Sequence, residues 1–129
     1  MTGQAIQIET IKGRANFVRM NTHASRFVVS NFILQMIEVP DMPEGQVRIG
    51  YTVTKKLGNA VVRNRIKRRL REAARKTIPT HAKTGRSYVF IARHKALSCD
   101  FAELVRDMEF AFSRIRHPGA GRDPRQPTD

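Results

Sequence analysis

The sequence predicts an α/β (α+β) sandwich: a single sheet of about four strands with helices, in the order α-β-β-β-α-β-α. Three observations predict this class. Residues 25–39 and 46–54 are rich in the β-branched and aromatic side chains that favour strands. Residues 60–76 and 101–115 instead repeat their apolar side chains at the three- and four-residue steps of a helix. Residues 87–93 form another short apolar run between these two helices, which is typical of a central strand.

The first element is predicted to be a short amphipathic helix that ends near Met20. Its apolar residues recur at helical steps: Ile8, Ile11, Ala15 and Val18. Residues 25–29 and 31–39 follow as two strands or one bent strand. The turn at residues 40–45, which holds two prolines and a glycine, then leads into residues 46–54. We therefore expect residues 31–39 and 46–54 to pair as an antiparallel hairpin.

Alternation along the second of these strands separates its two faces. Phe32, Leu34 and Met36 point to one side, and these bulky residues should face the core. Ile33 and Gln35 point to the other side, so we expect them on a half-open face.

The two later helices carry their own boundary signals. Gly58-Asn59 breaks the chain before the helix at residues 60–76, and Pro79 is expected to end that helix. Asp100 and Glu103 form a capping-box pattern at the start of the last helix. The buried face of the last helix is predicted from its spacing: Phe101, Leu104, Val105, Met108, Phe112 and Ile115.

Length and composition indicate one basic domain in a reducing compartment. The chain has 129 residues and a formal charge of +13. Its single cysteine, Cys99, excludes an internal disulfide framework, so we expect a cytoplasmic location. No signal-peptide pattern opens the chain, and its most apolar segment is interrupted by polar residues, so no membrane partner is expected. Residues 117–129 hold three of the six prolines and are predicted to be a disordered tail.

Most of the positive charge lies in one sixth of the chain. Residues 55–76 contain ten Lys or Arg and one acidic residue, Glu72, a net +9 of the total +13. Solvated helices usually mix signs, because like charges three or four residues apart cost ~0.2–0.5 kcal/mol per pair. A helix that keeps such repulsion is expected to bind a polyanion. Arginine suits phosphate, because its forked donors can grip two oxygens.

The helical period divides this segment into sides. The apolar stripe consists of Val62, Ile66, Leu70 and Ala73. The opposite, arginine-rich side consists of Asn64, Arg68, Arg71 and Arg75. Arg63 and Arg69 flank the stripe.

Nothing in the sequence predicts catalysis by the protein itself. Its four histidines are scattered, Cys99 has no nucleophile spacing, and no glycine-rich phosphate loop is present. DNA-reading patterns are missing as well, since there are no zipper heptads, no Cys/His finger spacing and no two-helix reading motif. RNA is therefore the favoured partner. We expect no cofactor or metal bound by the protein and no small-molecule substrate.

A specific resemblance then emerges from residues 50–72, GYTVTKKLGNAVVRNRIKRRLRE. This segment closely resembles the signature of the bacterial ribonuclease P protein subunit, including the Arg63-Asn64-Arg65 core. Residues 16–18 are similar to the aromatic segment of that family's first helix, and residues 88–93 to its last strand. The resemblance covers about residues 6–116, which leaves residues 1–5 as a flexible N-terminus and residues 117–129 as the tail.

The resemblance implies a subunit of a ribonucleoprotein endoribonuclease whose RNA carries out catalysis. That enzyme removes the 5′ leader from precursor tRNA, and its Mg²⁺ is required by the RNA subunit. The implied partners are the ribonuclease P catalytic RNA and precursor tRNA, and no catalytic residues are expected in the protein. A ribosomal S5 domain 2-like fold is also implied, with a left-handed β-α-β crossover, although right-handed crossovers are the strong rule.

Two binding surfaces are implied by the resemblance. Contact with the catalytic RNA is implied for Lys55, Lys56, Arg63, Asn64, Arg65, Lys67, Arg68, Arg69 and Arg71. Binding of the single-stranded precursor leader is implied for Phe17, Ile33 and Gln35. Gln35 stands where some family members have a tyrosine, and Asn21 where some have a second aromatic. We therefore expect weaker stacking on the leader and a larger share of hydrogen bonding.

Two alternatives share the same electrostatics. The first is a ribosomal or RNA-chaperone module without a role in tRNA maturation. The second is a nuclease that acts without an RNA subunit.

Overall fold

A computed structural model of the chain describes residues 6–11 and 24–115. Within these residues five strands form one sheet: β1 (Gln7–Thr10), β2 (Ser25–Val28), β3 (Phe32–Glu38), β4 (Gln46–Thr52) and β5 (Arg86–Ala92). Between β4 and β5 the chain forms a 3₁₀ turn (Lys55–Leu57) and helix α1 (Ala60–His81). Helices α2 (Lys95–Ser98) and α3 (Phe101–Arg114) follow β5. Among these helices, none combines the length and the apolar character needed to cross a membrane.

The sheet is mixed, with the strand order β1-β4-β5-β3-β2. β5 runs parallel to β4 and antiparallel to β3, so it lies between the two strands that we expected to form a hairpin. That pairing prediction is wrong. The reason is the composition of β5, in which Tyr88, Val89 and Phe90 are all buried. A strand that buries both faces needs a central position.

The predicted first helix is wrong where the structure describes it. Gln7–Thr10 is a strand paired in parallel with β4, with Gln7 N–H donating to the Gly45 carbonyl at 2.8 Å. Ile8 is 44% exposed, so it does not share a buried helical face with Ile11. Pairing with a distant strand thus overrides the weak local period. Ala15, Val18 and Met20 lie outside the described residues.

One face of the sheet carries the main core. Phe32, Leu34 and Met36 are fully buried on it, which confirms the alternation predicted for this strand. α1 and α3 cover this face, and the rings of Tyr88 and Phe112 meet edge to face with centroids 4.9 Å apart. The predicted sandwich class is therefore confirmed, with five strands in place of about four. β4, α1 and β5 form the parallel β-α-β unit for which the resemblance implies the unusual crossover.

The start of α1 is fixed by two adjacent residues, as predicted. Gly58 has φ +144°, and a Cβ at this position would lie 2.9 Å from the Cβ of Val62. Both constraints favour glycine. Asn59 is the N-cap, and its Oδ1 accepts a hydrogen bond from Val62 N–H at 3.0 Å. Such a cap satisfies one of the free N–H groups of the first turn.

The predicted end of α1 is wrong by several residues. The helix passes through Pro79 and ends at His81, and the N–H of Ala82 still donates to the Ile78 carbonyl at 3.1 Å. Because Pro79 lies in the last turn, it removes one intrahelical bond without forcing the helix to stop.

Helix α3 begins where predicted but without the predicted cap. Asp100 occupies the N-cap position, yet its side chain makes no capping hydrogen bond. The carboxylate of Glu103 accepts instead from the buried amide of Asn31, at 3.2 Å. The packing face of α3 is confirmed, since Leu104, Met108 and Phe112 are buried.

Candidate nucleic-acid interface

Helix α1 is anchored by one side and presents the other to solvent. Ile66, Leu70 and Ala73 are buried in the core, and Val62 is half-buried beside them. The residues predicted for the opposite side are all exposed: Asn64, Arg68, Arg71 and Arg75. The division of α1 into an apolar and a cationic side is thus as predicted.

The nine residues implied in RNA contact lie in the 3₁₀ turn and in residues 60–71 of α1, and they differ in exposure. Six of them are exposed, and we call these six the basic surface: Lys55, Lys56, Asn64, Arg65, Arg68 and Arg71. The other three are half-buried: Arg63, Lys67 and Arg69.

Two of the half-buried arginines are tied to backbone carbonyls. Arg63 Nε–H donates to the Gly58 carbonyl at 3.1 Å, which closes the glycine turn onto α1. Arg69 Nε–H donates to the Ala96 carbonyl at 3.0 Å, and its Nη2 donates to the Cys99 carbonyl. These contacts hold α2 and the loop before α3 against α1. Part of the donor capacity of both arginines therefore serves the fold.

The basic surface has no anionic partner within the described residues. In residues 6–11 and 24–115 the ion pair that forms joins Arg86 of β5 to Glu38 of β3, at 3.1 Å. The first turn of α1 also contains no acidic residue. The positive end of its helix dipole adds to the charge of Lys55 and Lys56 there, which makes this end attractive to phosphate.

The residues implied in leader binding, as far as the structure describes them, lie on the opposite face of the sheet. Ile33 and Gln35 share this outer face, as the predicted alternation requires. Ile33 is half-buried, but Gln35 is only 4% exposed, so the expectation of a half-open position is wrong for Gln35. The reason is that β3 is an interior strand, and Gln35 lies between Arg26 of β2 and Val89 of β5. Phe17 lies outside the described residues.

Strand pairing adds two cations that the sequence did not single out. Arg26 is paired with Gln35, and Arg48 with Ser87, so both lie on the outer face near opposite edges of the sheet. Between them lie the apolar side chains of Ile33, Val89 and Ile91. Nothing local marks these arginines, because only the long-range register brings them onto one face with Ile33.

In residues 6–11 and 24–115, no group of three or more His, Cys, Asp or Glu side chains is placed to hold a metal ion.

Comparison with known proteins decides the family. The family model described as Ribonuclease P matches residues 7–116 of this chain. The chain belongs to the ribonuclease P protein family. A "Ribonuclease P protein component" of Paramagnetospirillum magneticum is 36% identical over 113 residues, covering 86% of this chain and 85% of that protein. Another from Erythrobacter litoralis is 39% identical over 116 residues, covering 90% and 91%.

Solved structures of ribonuclease P proteins share the fold. The protein from Staphylococcus aureus superposes with a TM-score of 0.68 at 29% identity, over 81% of this chain and 92% of that one. The protein from Thermotoga maritima gives a TM-score of 0.72 over 84% and 98%, and at 23% identity it supports the fold alone. Family membership assigns this chain a role in tRNA processing with the ribonuclease P RNA subunit. It favours that role over the ribosomal or RNA-chaperone alternative.

Proposed function

We propose that the chain binds the RNA subunit of ribonuclease P through the basic surface and the 5′ leader of precursor tRNA through the outer face of the sheet. The observation that carries this proposal is the run of cations on α1, which has no anionic partner in the described residues. RNA phosphates would supply the missing counter-charge. We further propose that this takes place in the cytoplasm.

The two surfaces lie on opposite faces of one sheet, which supports a bridging role. The cationic side of α1 faces away from the core, while Ile33 lies half-buried on the outer face of β3. A protein built this way can contact a folded RNA on one side and a single strand on the other. Folded RNA is gripped largely through shape and phosphates, whereas single strands are bound through unstacked bases.

The protein is proposed to contribute binding energy and not chemistry. Mg²⁺ held by the RNA subunit would activate the attacking water and stabilise the leaving oxygen, as in other metal-assisted phosphodiester hydrolysis. The chain's cations would offset the repulsion between the phosphates of the RNA subunit and those of the leader. No catalytic residue and no metal ligand is assigned to the protein.

Reconstitution with the cognate RNA subunit tests the proposal. Cleavage of precursor tRNA is measured at low Mg²⁺ with RNA alone, with protein alone and with both. We expect strong stimulation by the protein and no cleavage by protein alone. If the protein gives no stimulation, the proposal fails and a ribosomal or chaperone role gains support. Cleavage by nuclease-treated protein alone would support the self-sufficient nuclease.

Substitutions at the two surfaces separate their roles. Arg68→Ala should lower the slope of log affinity against log salt by roughly 0.7–0.9 for each phosphate that the arginine neutralises. Arg106→Ala on α3 removes another exposed arginine, one outside the basic surface, and should leave the slope unchanged. Phe17→Ala should weaken binding of precursor tRNA more than binding of mature tRNA, with stacking worth ~1–3 kcal/mol per base. Equal weakening for both tRNAs would remove Phe17 from the leader site.

A further inference from the structure

A cavity of about 240 Å³ lies beside the basic surface, with which it shares Arg71, between the edge strand β1, strand β4 and the second half of α1. Its apolar lining comes from Ile8, Ile49 and Ile78, one from each of the three elements. Tyr51 lies beside them, and its ring is stacked on that of Phe90 with centroids 5.8 Å apart and planes 16° apart. The cavity therefore offers a flat, partly aromatic apolar lining of the kind that accepts a planar ring.

The Tyr51 hydroxyl supplies a hydrogen-bond donor at the cavity. Burial raises the pKa of the Tyr51 phenol to about 12, although the charges of Arg71 and Arg75 oppose that rise. The phenol is consequently protonated at any physiological pH.

The edge of β1 that faces away from β4 adds backbone hydrogen-bond donors and acceptors to the cavity. Gln7 N–H donates to the Gly45 carbonyl and Ile11 N–H to the Ile49 carbonyl, at 2.8 and 3.0 Å. Backbone groups in a strand alternate direction, so those of Ile8 and Thr10 point away from β4. Among residues 6–11 and 24–115 no strand pairs with that edge. Because Ile8 and Thr10 line the cavity, their backbone N–H and C=O groups lie at its border as donors and acceptors in a fixed order.

Arg71 and Arg75 complete the lining from α1. They are one helical turn apart, both are exposed, and neither forms an ion pair within the described residues. Glu9 also borders the cavity but lies beyond ion-pair distance of them. Two guanidinium groups that repel each other beside an apolar pocket match a ligand that carries both a ring and a phosphate.

We propose that this cavity binds one unstacked nucleotide of the RNA subunit, with its base against Tyr51 and the isoleucines and its phosphates on Arg71 and Arg75. The inference rests on the proposed function and adds a second, base-contacting site to the phosphate-contacting basic surface. A cavity of this size is below the roughly 300–1,000 Å³ typical of larger ligand sites, which fits a single nucleotide. Bases that leave the helical stack are the ones that proteins read by stacking and hydrogen bonding.

Neighbouring residues on α1 provide a matched test. Arg75 lines the cavity, whereas Lys76, the next residue, is also exposed but does not line it. Arg75→Gln and Lys76→Gln remove the same charge from the same helical turn. Tyr51→Phe keeps the ring and removes only the hydroxyl. Affinity for the RNA subunit and chemical modification of each RNA base are measured with and without the full chain, and thermal unfolding checks each variant's fold.

Arg75→Gln is expected to weaken RNA binding roughly 10–100-fold, the range for removal of a hydrogen bond to a charged group, and Lys76→Gln at most a few-fold. Tyr51→Phe is expected to cost roughly 2–10-fold. In the wild-type complex one base should be protected from modification. Arg75→Gln should remove that protection and Tyr51→Phe should reduce it, while the rest of the footprint persists.

Equal losses for Arg75→Gln and Lys76→Gln, with no single base exposed by either cavity variant, would overturn the nucleotide site and leave the proposed function intact. If the wild-type chain fails to bind the RNA subunit at all, the proposed function falls and the nucleotide site falls with it.

Discussion

Arg69 and Arg68 are adjacent in the sequence, but the structure predicts opposite consequences for replacing them. Arg69 donates to the carbonyls of Ala96 and Cys99 and so connects α1 to the segment around α2. Ala96 is fully buried, and Cys99 is half-buried. Arg69→Ala leaves both carbonyls without this donor. Arg68 is exposed, and its side chain forms no hydrogen bond or ion pair within residues 6–11 and 24–115.

The magnitudes follow from these contacts. A hydrogen bond to a charged group contributes about 1.5–3 kcal/mol, and partial exposure reduces the value for the Cys99 contact. Arg69→Ala should therefore lower the free energy of unfolding by about 2–4 kcal/mol, which lowers the Tm by roughly 10 °C for a domain of this size. Arg68→Ala should change the free energy of unfolding by no more than about 0.5 kcal/mol, as is usual at exposed positions.

Urea denaturation and a salt titration of RNA binding test the pair together. We expect Arg69→Ala to reduce stability with a smaller change in salt slope, and Arg68→Ala to reduce the slope with stability unchanged. Arg69→Lys retains the charge but can reach fewer carbonyls, so its stability should lie between those of wild type and Arg69→Ala. If Arg69→Ala unfolds at the wild-type urea concentration, or Arg68→Ala is the less stable variant, the structural role of Arg69 is refuted.

Three further outcomes are expected. Gly58→Ala should destabilise the domain by at least about 1 kcal/mol in urea denaturation, because φ +144° and the 2.9 Å approach to Val62 both disfavour a Cβ. Gly45→Ala is the control: Gly45 has φ +80° but open space around it, so this substitution should cost less stability. Between about pH 10 and pH 12 the wild type should lose stability relative to Tyr51→Phe. The reason is that the phenol has a pKa of 10.0 in the unfolded chain and about 12 in the folded one, so the unfolded chain releases its proton first as the pH rises. Identical pH profiles of stability for the two proteins would contradict the raised pKa. Added NaCl should raise the Tm of the free chain and weaken RNA binding, and a Tm that falls with NaCl would contradict the unrelieved repulsion on α1.

The parts of this structure that could be predicted from sequence are those that local periodicity determines. The two sides of α1 and the buried face of α3 follow from the helical period, and the alternation of Phe32 and Ile33 follows from the strand period. Tertiary pairing did not follow. β5 lies between β3 and β4, although it begins at Arg86, 34 residues after β4 ends at Thr52. The edge strand β1 forms only because β4 is available to pair with it.

The candidate site shows the same division. Exposure of Arg68 could be predicted because it depends on its position around one helix. The contacts of Arg69 could not, since its partners Ala96 and Cys99 are 27 and 30 residues away. Arg26 and Arg48 join the outer face only through strand register. Burial of Gln35 likewise depends on strands β2 and β5 on either side of it.

Packing explains how α1 can form before any RNA is bound. Six pairs of like charges lie three or four residues apart on α1, and together they cost roughly 1–3 kcal/mol. These pairs are Arg63/Lys67, Arg65/Arg68, Arg65/Arg69, Lys67/Arg71, Arg68/Arg71 and Arg71/Arg75. Burial of Ile66, Leu70 and Ile78, each at most 1% exposed, contributes about 1.5–3 kcal/mol per side chain and exceeds that cost. The core therefore holds the arginines in position in advance, so that RNA binding relieves a repulsion already present and does not have to order the helix.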